Sequence, residues 1–191
     1  MKNKNKKHWD DKGSNYENIW KNNSKKYMHS MEMDFINYFL SKNKNRRVLD
    51  IGIGTGRIVE NYISSPCVDE IYGIDISDEM IKICKGKFLQ NRKIKRITVC
   101  DFSKNTVPFD TKFDFISAIR VLKYNKNWIE MIEKIEKSLT DGGIAIITMP
   151  NRISLNVFGT YSIPYYKTSK KEIDEICKNS NLQIMEMKTF T

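Results

Sequence analysis

No run of about 18 apolar residues occurs in this 191-residue sequence, so a membrane-spanning helix is not expected. The opening stretch "MKNKNKKHWDDKG" lacks the apolar core of a secretory signal. Its four cysteines, Cys67, Cys84, Cys100 and Cys177, form no CxxC pair. That spacing provides neither a zinc-ligand set nor a disulfide framework, and it fits free thiols in a reducing cytoplasm. No metal is expected. Proline is scarce, four in all, with no Pro/Ser-rich linker and no internal repeat, so one domain with a real core is the simplest organisation. Histidine is scarcer still. His8 and His29 are the only two, which leaves few ready general bases.

Arginine is also rare beside lysine, 7 against 26. The formal charge of +10 is uneven: residues 1–47 carry 12 bases and 5 acids, and residues 81–96 carry 7 bases and no acid. Such clustering fits a polyanion surface. Nucleic-acid recognition, however, favours arginine forks, and the abundance of Lys, Asn and Ile (26, 18 and 26) is what an A/T-rich coding sequence produces. The balance stands against a nucleic-acid partner.

What is present is an alternation of short apolar runs and helical patterns. A basic tail over 1–14 is read as disordered, with His8 inside it. A helical stripe fills 15–41, with Ile19, Trp20, Tyr27, Met28, Met31, Phe35, Tyr38 and Phe39 at spacings of three and four. Strands are predicted at 47–51, 70–75, 96–101, 113–119 and 144–150, and a last one at 182–187. Helices are predicted at 56–64, 77–90, 127–140 and 169–180. Strands alternating with helices predict an α/β fold: a doubly wound, mainly parallel sheet with helices on both faces.

Ligands of such sheets bind beyond the carboxyl ends of the strands. There the sequence puts "VLDIGIGTGRI", with Gly52, Gly54 and Gly56 following the first strand and Asp50 ahead of them. Glycines there let backbone N–H groups and a helix N-terminus approach a ligand; a tight strand-to-helix turn is the plainer alternative. Asp75 ends the second strand, 19 residues beyond Gly56, where a carboxylate can take both hydroxyls of a ribose. Asp101 and Phe102 end the third, where they can meet an exocyclic amine and an adenine face. Together the three strand ends describe a nucleoside site.

"VLDIGIGTGRI", "IYGIDIS", "VCDF", "FDFISAIRVLKY" and "LTDGGIAIITMPN" resemble the successive motifs of the class I, Rossmann-like S-adenosylmethionine-dependent methyltransferases, over residue 15 to the C-terminus. The resemblance implies S-adenosylmethionine as cofactor and the strand order 3-2-1-4-5-7-6, with strand seven antiparallel. It implies that Asp50, Gly52, Gly54 and Gly56 line the methionine part. Asp75 would hold the ribose with Ile76 beside the adenine, Asp101 would bond the adenine amine next to Phe102, and Ile119 or Arg120 would flank the sulfonium. After "LQIMEM" only "KTFT" remains, so the usual last strand of the family sheet is not found: either the chain is a piece of something longer or strand six pairs in an unusual way, and an edge so exposed is compatible with a homodimer.

On the acceptor side the candidates are Arg120, His29 and Tyr124, with Lys123 beside them. The N-terminal segment over 15–41 often caps the pocket in the family, which puts Tyr16, Trp20 and Tyr27 within reach as well, or else in a plain buried stripe. The stretch 151–168, "NRISLNVFGTYSIPYYKT", is long for a connection and is expected to be a substrate loop or lid, with Tyr161, Tyr165 and Tyr166 in it. "PNR" followed by "SL" resembles small-molecule O-methyltransferases, and the Asn/Asp-Pro-Pro-aromatic signature of base-amine methyltransferases is absent. The expected activity is methyl transfer to a small molecule, at oxygen. The alternatives are an RNA-directed methyltransferase, a non-catalytic cofactor-binding subunit, and a nicotinamide-dependent oxidoreductase. Against the last stands the early third glycine.

Overall fold

The computed structural model describes residues 4–42, 46–153 and 163–189, without the side chains of Ser14 and Ile19. Five strands form one parallel sheet: β1 Arg46–Ile51, β2 Val68–Asp75, β3 Ile94–Val99, β4 Phe113–Ala118 and β5 Leu139–Ile147. Their order is β3-β2-β1-β4-β5. The first crossovers run outward from β1 to β3, and the chain then returns to the other side of β1 with β4. The order reverses at β1 and β4, and it is beyond the C-terminal strand ends at such a reversal that sheets of this kind bind ligands.

The helices are α1 Lys4–Lys12, α2 Tyr16–Ile19, α3 Asn23–Leu40, α4 Val59–Ser64, α5 Asp78–Phe88, α6 Trp128–Ser138 and α7 Lys170–Lys178. Alternation along β1 divides the core. Val48 packs on one face with Ile36, Phe39 and Leu40 of α3, Val59 and Tyr62 of α4, and Ile81 and Cys84 of α5. Leu49 and Ile51 pack on the other with Trp128, Met131, Ile132 and Ile135 of α6. Each such buried side chain contributes about 1.5–3 kcal/mol. Asp50 shares the face of Val48, which carries a carboxylate into the buried layer beneath α3 and α4.

Three expectations are corrected. The basic tail over 1–14 is ordered from Lys4: α1 lies across the sheet rim, where Asp10 accepts from Ser77 Oγ at 2.6 Å, Lys6 pairs with Asp78, and Asn5 Nδ2 donates to the Tyr124 carbonyl at 3.0 Å. The single helix expected over 15–41 is α2 and α3, separated at Trp20–Asn22; Asn22 caps α3 by accepting from Ser24 N. The strand expected at 182–187 does not form among the described residues, and Ile184, Met185 and Met187 are exposed. Of the 151–168 loop, 154–162 lie outside the described residues, Tyr161 included. Its two ends are tied together by an Asn151–Thr168 bridge and by Arg152 N donating to the Thr168 carbonyl.

Among the described residues no helix is long and apolar enough to cross a membrane, and no cluster of His, Cys, Asp or Glu could hold a metal. All four cysteines are free.

Candidate active site

The loop after β1 is tied down by the end of β2. Gly52 N and Ile53 N both donate to the Ile74 carbonyl, at 2.7 and 3.0 Å, and Gly56 N donates to the Ile53 carbonyl. These N–H groups are used within the turn, so the glycines give the loop shape and space rather than free donors. All three have φ between +55° and +90°. A side chain at Gly52 would collide with Val121 Cγ2, and one at Gly56 with the Phe88 ring. Gly54 differs: a Cβ there meets nothing closer than 3.9 Å, with the Gly52 carbonyl and Tyr16 Cε1 at that limit. The hollow of this turn is at Gly54.

Asp75 sits on its rim. Its Oδ2 accepts from Gly54 N at 2.9 Å and its Oδ1 from Ser77 N at 2.9 Å. Each oxygen keeps lone-pair capacity for a further donor. Burial raises the pKa of Asp75 above the usual carboxylate value against these backbone bonds, and Asp10 on α1 adds to the rise. Ser77, the N-cap of α5, is fully buried. Ile76, between them, is half-buried. Asp101, past β3, accepts from Ser103 Oγ and pairs with Lys104 at 3.4 Å. Phe102 is not an open platform: it is 4% exposed, sits in the α6 core, and has Lys134 Nζ 5.6 Å over its ring. Ile119 is likewise a core residue.

Beneath the loop, Asp50 is 2% exposed and accepts from Ser117 Oγ at 2.7 Å. Burial lifts its pKa to about 7, with the Ser117 bond and the Arg57 charge opposing. Close by, the fully buried Tyr62 hydroxyl has no hydrogen-bond partner among the described residues.

The roof of the crevice comes from α2 and α3. Glu32, 5% exposed, receives Arg57 Nη1 at 3.0 Å on one oxygen and Arg120 Nε at 2.8 Å on the other. Both guanidiniums stack over Trp20, 4.1 and 4.8 Å from its ring centre. Trp20 Nε1 is buried without a partner among the described residues. Among the described residues Arg120 is the sole non-glycine with positive φ, at 64°, and its N–H donates to Thr148 Oγ1 at 2.7 Å. A strained residue at a strand end is typical of functional sites. His29 Nδ1 faces Arg57 Nη1. Arginine can only donate, so Nδ1 is the acceptor and the proton sits on Nε2. Burial and the Arg57 charge lower the pKa of His29. His29 positions Arg57 in this arrangement, and its basic nitrogen is occupied.

Tyr124 stands on the far side. Trp9 of α1 meets it edge-on at 5.3 Å and Tyr165 lies 6.3 Å away; Trp9 also meets Tyr16 at 6.1 Å, and Tyr16 meets Trp20 at 6.3 Å. An aromatic row thus spans the rim. Arg120 and His29 meet through Glu32 and Arg57 beside the glycine loop, while Phe102 and Ile119 are drawn into the core. Glu32 and Arg57 are the residues sequence reading missed. The signal for Glu32 is an acid on the apolar stripe of α3, four residues after Met28 and four before Ile36.

Residues 20–186 match the methyltransferase domain family. The chain is 36% identical over 109 residues to an uncharacterised protein of Methanocaldococcus jannaschii, a stretch covering 56% of this chain and 46% of that protein. The chain therefore spans about half the length of the curated relative it matches. The fold is that of magnesium protoporphyrin IX methyltransferase from Synechocystis, solved with bound SAH, at TM-score 0.70, 17% identity and coverage of 91% and 86% of the two chains. It is also that of an S-adenosylmethionine-dependent methyltransferase from Clostridium acetobutylicum, at TM-score 0.71, 15% identity and coverage of 91% and 89%. On the family match and the sheet order together, the chain belongs to the class I, Rossmann-like S-adenosylmethionine-dependent methyltransferases.

Proposed function

We propose that this protein transfers a methyl group from S-adenosylmethionine to an oxygen of a small-molecule acceptor in the cytoplasm. The observation that carries this reading is the turn at Gly54, the one loop glycine at which an added side chain would meet no clash, with the Asp75 carboxylate bonded to its amide. The residues present suit the cofactor. Asp75 has acceptor capacity for ribose hydroxyls and Asp101 for the adenine amine. Asp50 is a buried carboxylate matched to the methionine ammonium. Arg57 and Arg120 share one carboxylate, and their surplus positive charge suits the carboxylate of the same group. The unpartnered Trp20 Nε1 offers a donor.

When bound, the cofactor supplies an electrophilic methyl group on a good leaving group. The chain has to align it and keep water away. Tyr16 and Trp20 cover the hollow, and Trp9 of α1 extends that cover to Tyr124. Arg120, held by Glu32 and by Thr148, fixes the boundary between the cofactor side and the acceptor side. Oxygen as the target is supported by the "PNR…SL" stretch and by the absent Asn-Pro-Pro-aromatic signature. A homodimer fits an edge strand β5 that has no outer partner among the described residues.

Calorimetric titration with S-adenosylhomocysteine and with NADH tests the cofactor, and radiolabelled methyl transfer to a panel of hydroxylated and aminated small molecules tests the acceptor. Saturable binding of the first ligand alone, with label on hydroxyl acceptors, is expected. Binding of NADH in its place overturns the reading, and label on amines alone overturns the choice of oxygen.

A further inference from the structure

Lys123 follows β4 in the single turn Leu122–Tyr124, and its carbonyl accepts from Tyr166 N at 2.7 Å. By the sheet order, the ends of β2 and β4 flank that of β1, so Lys123 lies across the glycine loop from Asp75. Its ammonium is 5.0 Å from the Tyr124 ring centre and 5.3 Å from that of Tyr165. All 23 aspartate and glutamate side chains of the sequence belong to the described residues, and none lies within ion-pair distance of this ammonium. The carboxylate that acts on it, Glu32, is already engaged by Arg57 and Arg120. The other charges acting on it, Arg120 and Lys25, are cations.

Lys123 is half-buried, and a charged side chain drawn partly out of water usually has a counter-charge, because its desolvation is otherwise uncompensated. Two tyrosine faces offset part of that cost and supply no counter-ion. We propose that Lys123 holds an oxyanion of the acceptor molecule, a carboxylate or phosphoryl group, beside the reacting centre. This assignment rests on the methyltransferase reading above and adds the acceptor's charge to it. A lysine is a compact point charge that accepts either geometry. Burial brings the Lys123 pKa down to about 8, so the ammonium is still mostly protonated at neutral pH and available for such a pair.

The test is calorimetric titration of benzoate, phenyl phosphate and the neutral benzamide into wild type and Lys123→Met, each with and without saturating S-adenosylhomocysteine. Benzoate or phenyl phosphate is expected to bind wild type, benzamide to bind neither protein, and K123M to lose anion affinity by about tenfold or more. Its affinity for S-adenosylhomocysteine is expected to stay at the wild-type value. The relative strength of the two anions tells carboxylate from phosphoryl. Equal anion binding by K123M, benzamide binding as well as benzoate, or no anion binding at millimolar concentration overturns the assignment. If S-adenosylhomocysteine itself does not bind wild type, the cofactor reading fails separately, and the titrations without it still decide the role of Lys123. Should K123M not fold, Lys123→Gln removes the charge at similar length.

Discussion

The Gly54 amide donates to Asp75 Oδ2 at 2.9 Å across 21 residues of sequence, and this bond fastens the loop after β1 to the end of β2. The same carboxylate is the proposed ribose acceptor, so one side chain both shapes the hollow and recognises what fills it. Asp75→Ala should weaken S-adenosylhomocysteine binding by about 2 kcal/mol or more, because charge-assisted bonds are lost. Calorimetry at a temperature where circular dichroism shows the variant folded checks this; near-normal affinity contradicts it.

The three loop glycines should separate by experiment. Gly52→Ala and Gly56→Ala drive a methyl into Val121 and into Phe88 and also strain a positive φ. Each should cost roughly 3 kcal/mol of folding stability. Gly54→Ala meets only ordinary contacts at 3.9 Å and should cost only about 1 kcal/mol from its φ of 55°, yet it should lower cofactor affinity more than either of the others does at equal folded fraction. Urea melts beside binding isotherms read both quantities. A Gly54→Ala protein that binds normally places the ligand elsewhere.

Glu32 is buried between two guanidiniums. Removing it leaves two half-buried cations facing each other over Trp20. Glu32→Ala should therefore destabilise the fold by about 3 kcal/mol, more than any single exposed pair such as Lys82–Glu79. Chemical denaturation measures this, and a loss below that of a surface pair means the triad does not hold the roof.

The buried Asp50 carboxyl gives a pH signature. Its folded pKa, about 7, stands above its ordinary value of 3.8. Between those values the folded state keeps a proton that the unfolded chain releases, so this group's contribution lowers stability as pH rises from 4 to 7. Asp50→Asn should flatten that decline. A ligand ammonium beside Asp50 favours the charged form, so S-adenosylhomocysteine should bind more tightly at pH 8 than at pH 6 in wild type and with little difference in Asp50→Asn. Equal pH dependence in both proteins contradicts the placement of Asp50 at the ligand.

The central sheet was legible because its strands carry short apolar runs, with Gly52, Asp75 and Asp101 closing the first three by sequence alone. What escaped reading depends on contacts between distant segments. The stretch Lys4–Lys12 has almost no apolar character, and its helix is held by Asp10 on Ser77, Lys6 on Asp78 and Trp9 on Tyr124, none visible to local periodicity. "LQIMEM" is a mostly apolar run of strand length, yet such a run supplies only one partner of a ladder, and no described strand pairs with it. Phe102 reads equally well as a platform or as core; the neighbouring α6 decides for core. Arg57 looks like a helix-opening residue until Glu32 of α3 folds over it.

A crystal structure with S-adenosylhomocysteine bound tests the central claim most directly. The account predicts the homocysteine moiety running past Gly54, both ribose hydroxyls within hydrogen-bonding distance of the Asp75 carboxylate, and the thioether sulfur directed toward Arg120 and Lys123. Ligand density away from the glycine loop, or a ribose held by groups other than Asp75, contradicts it.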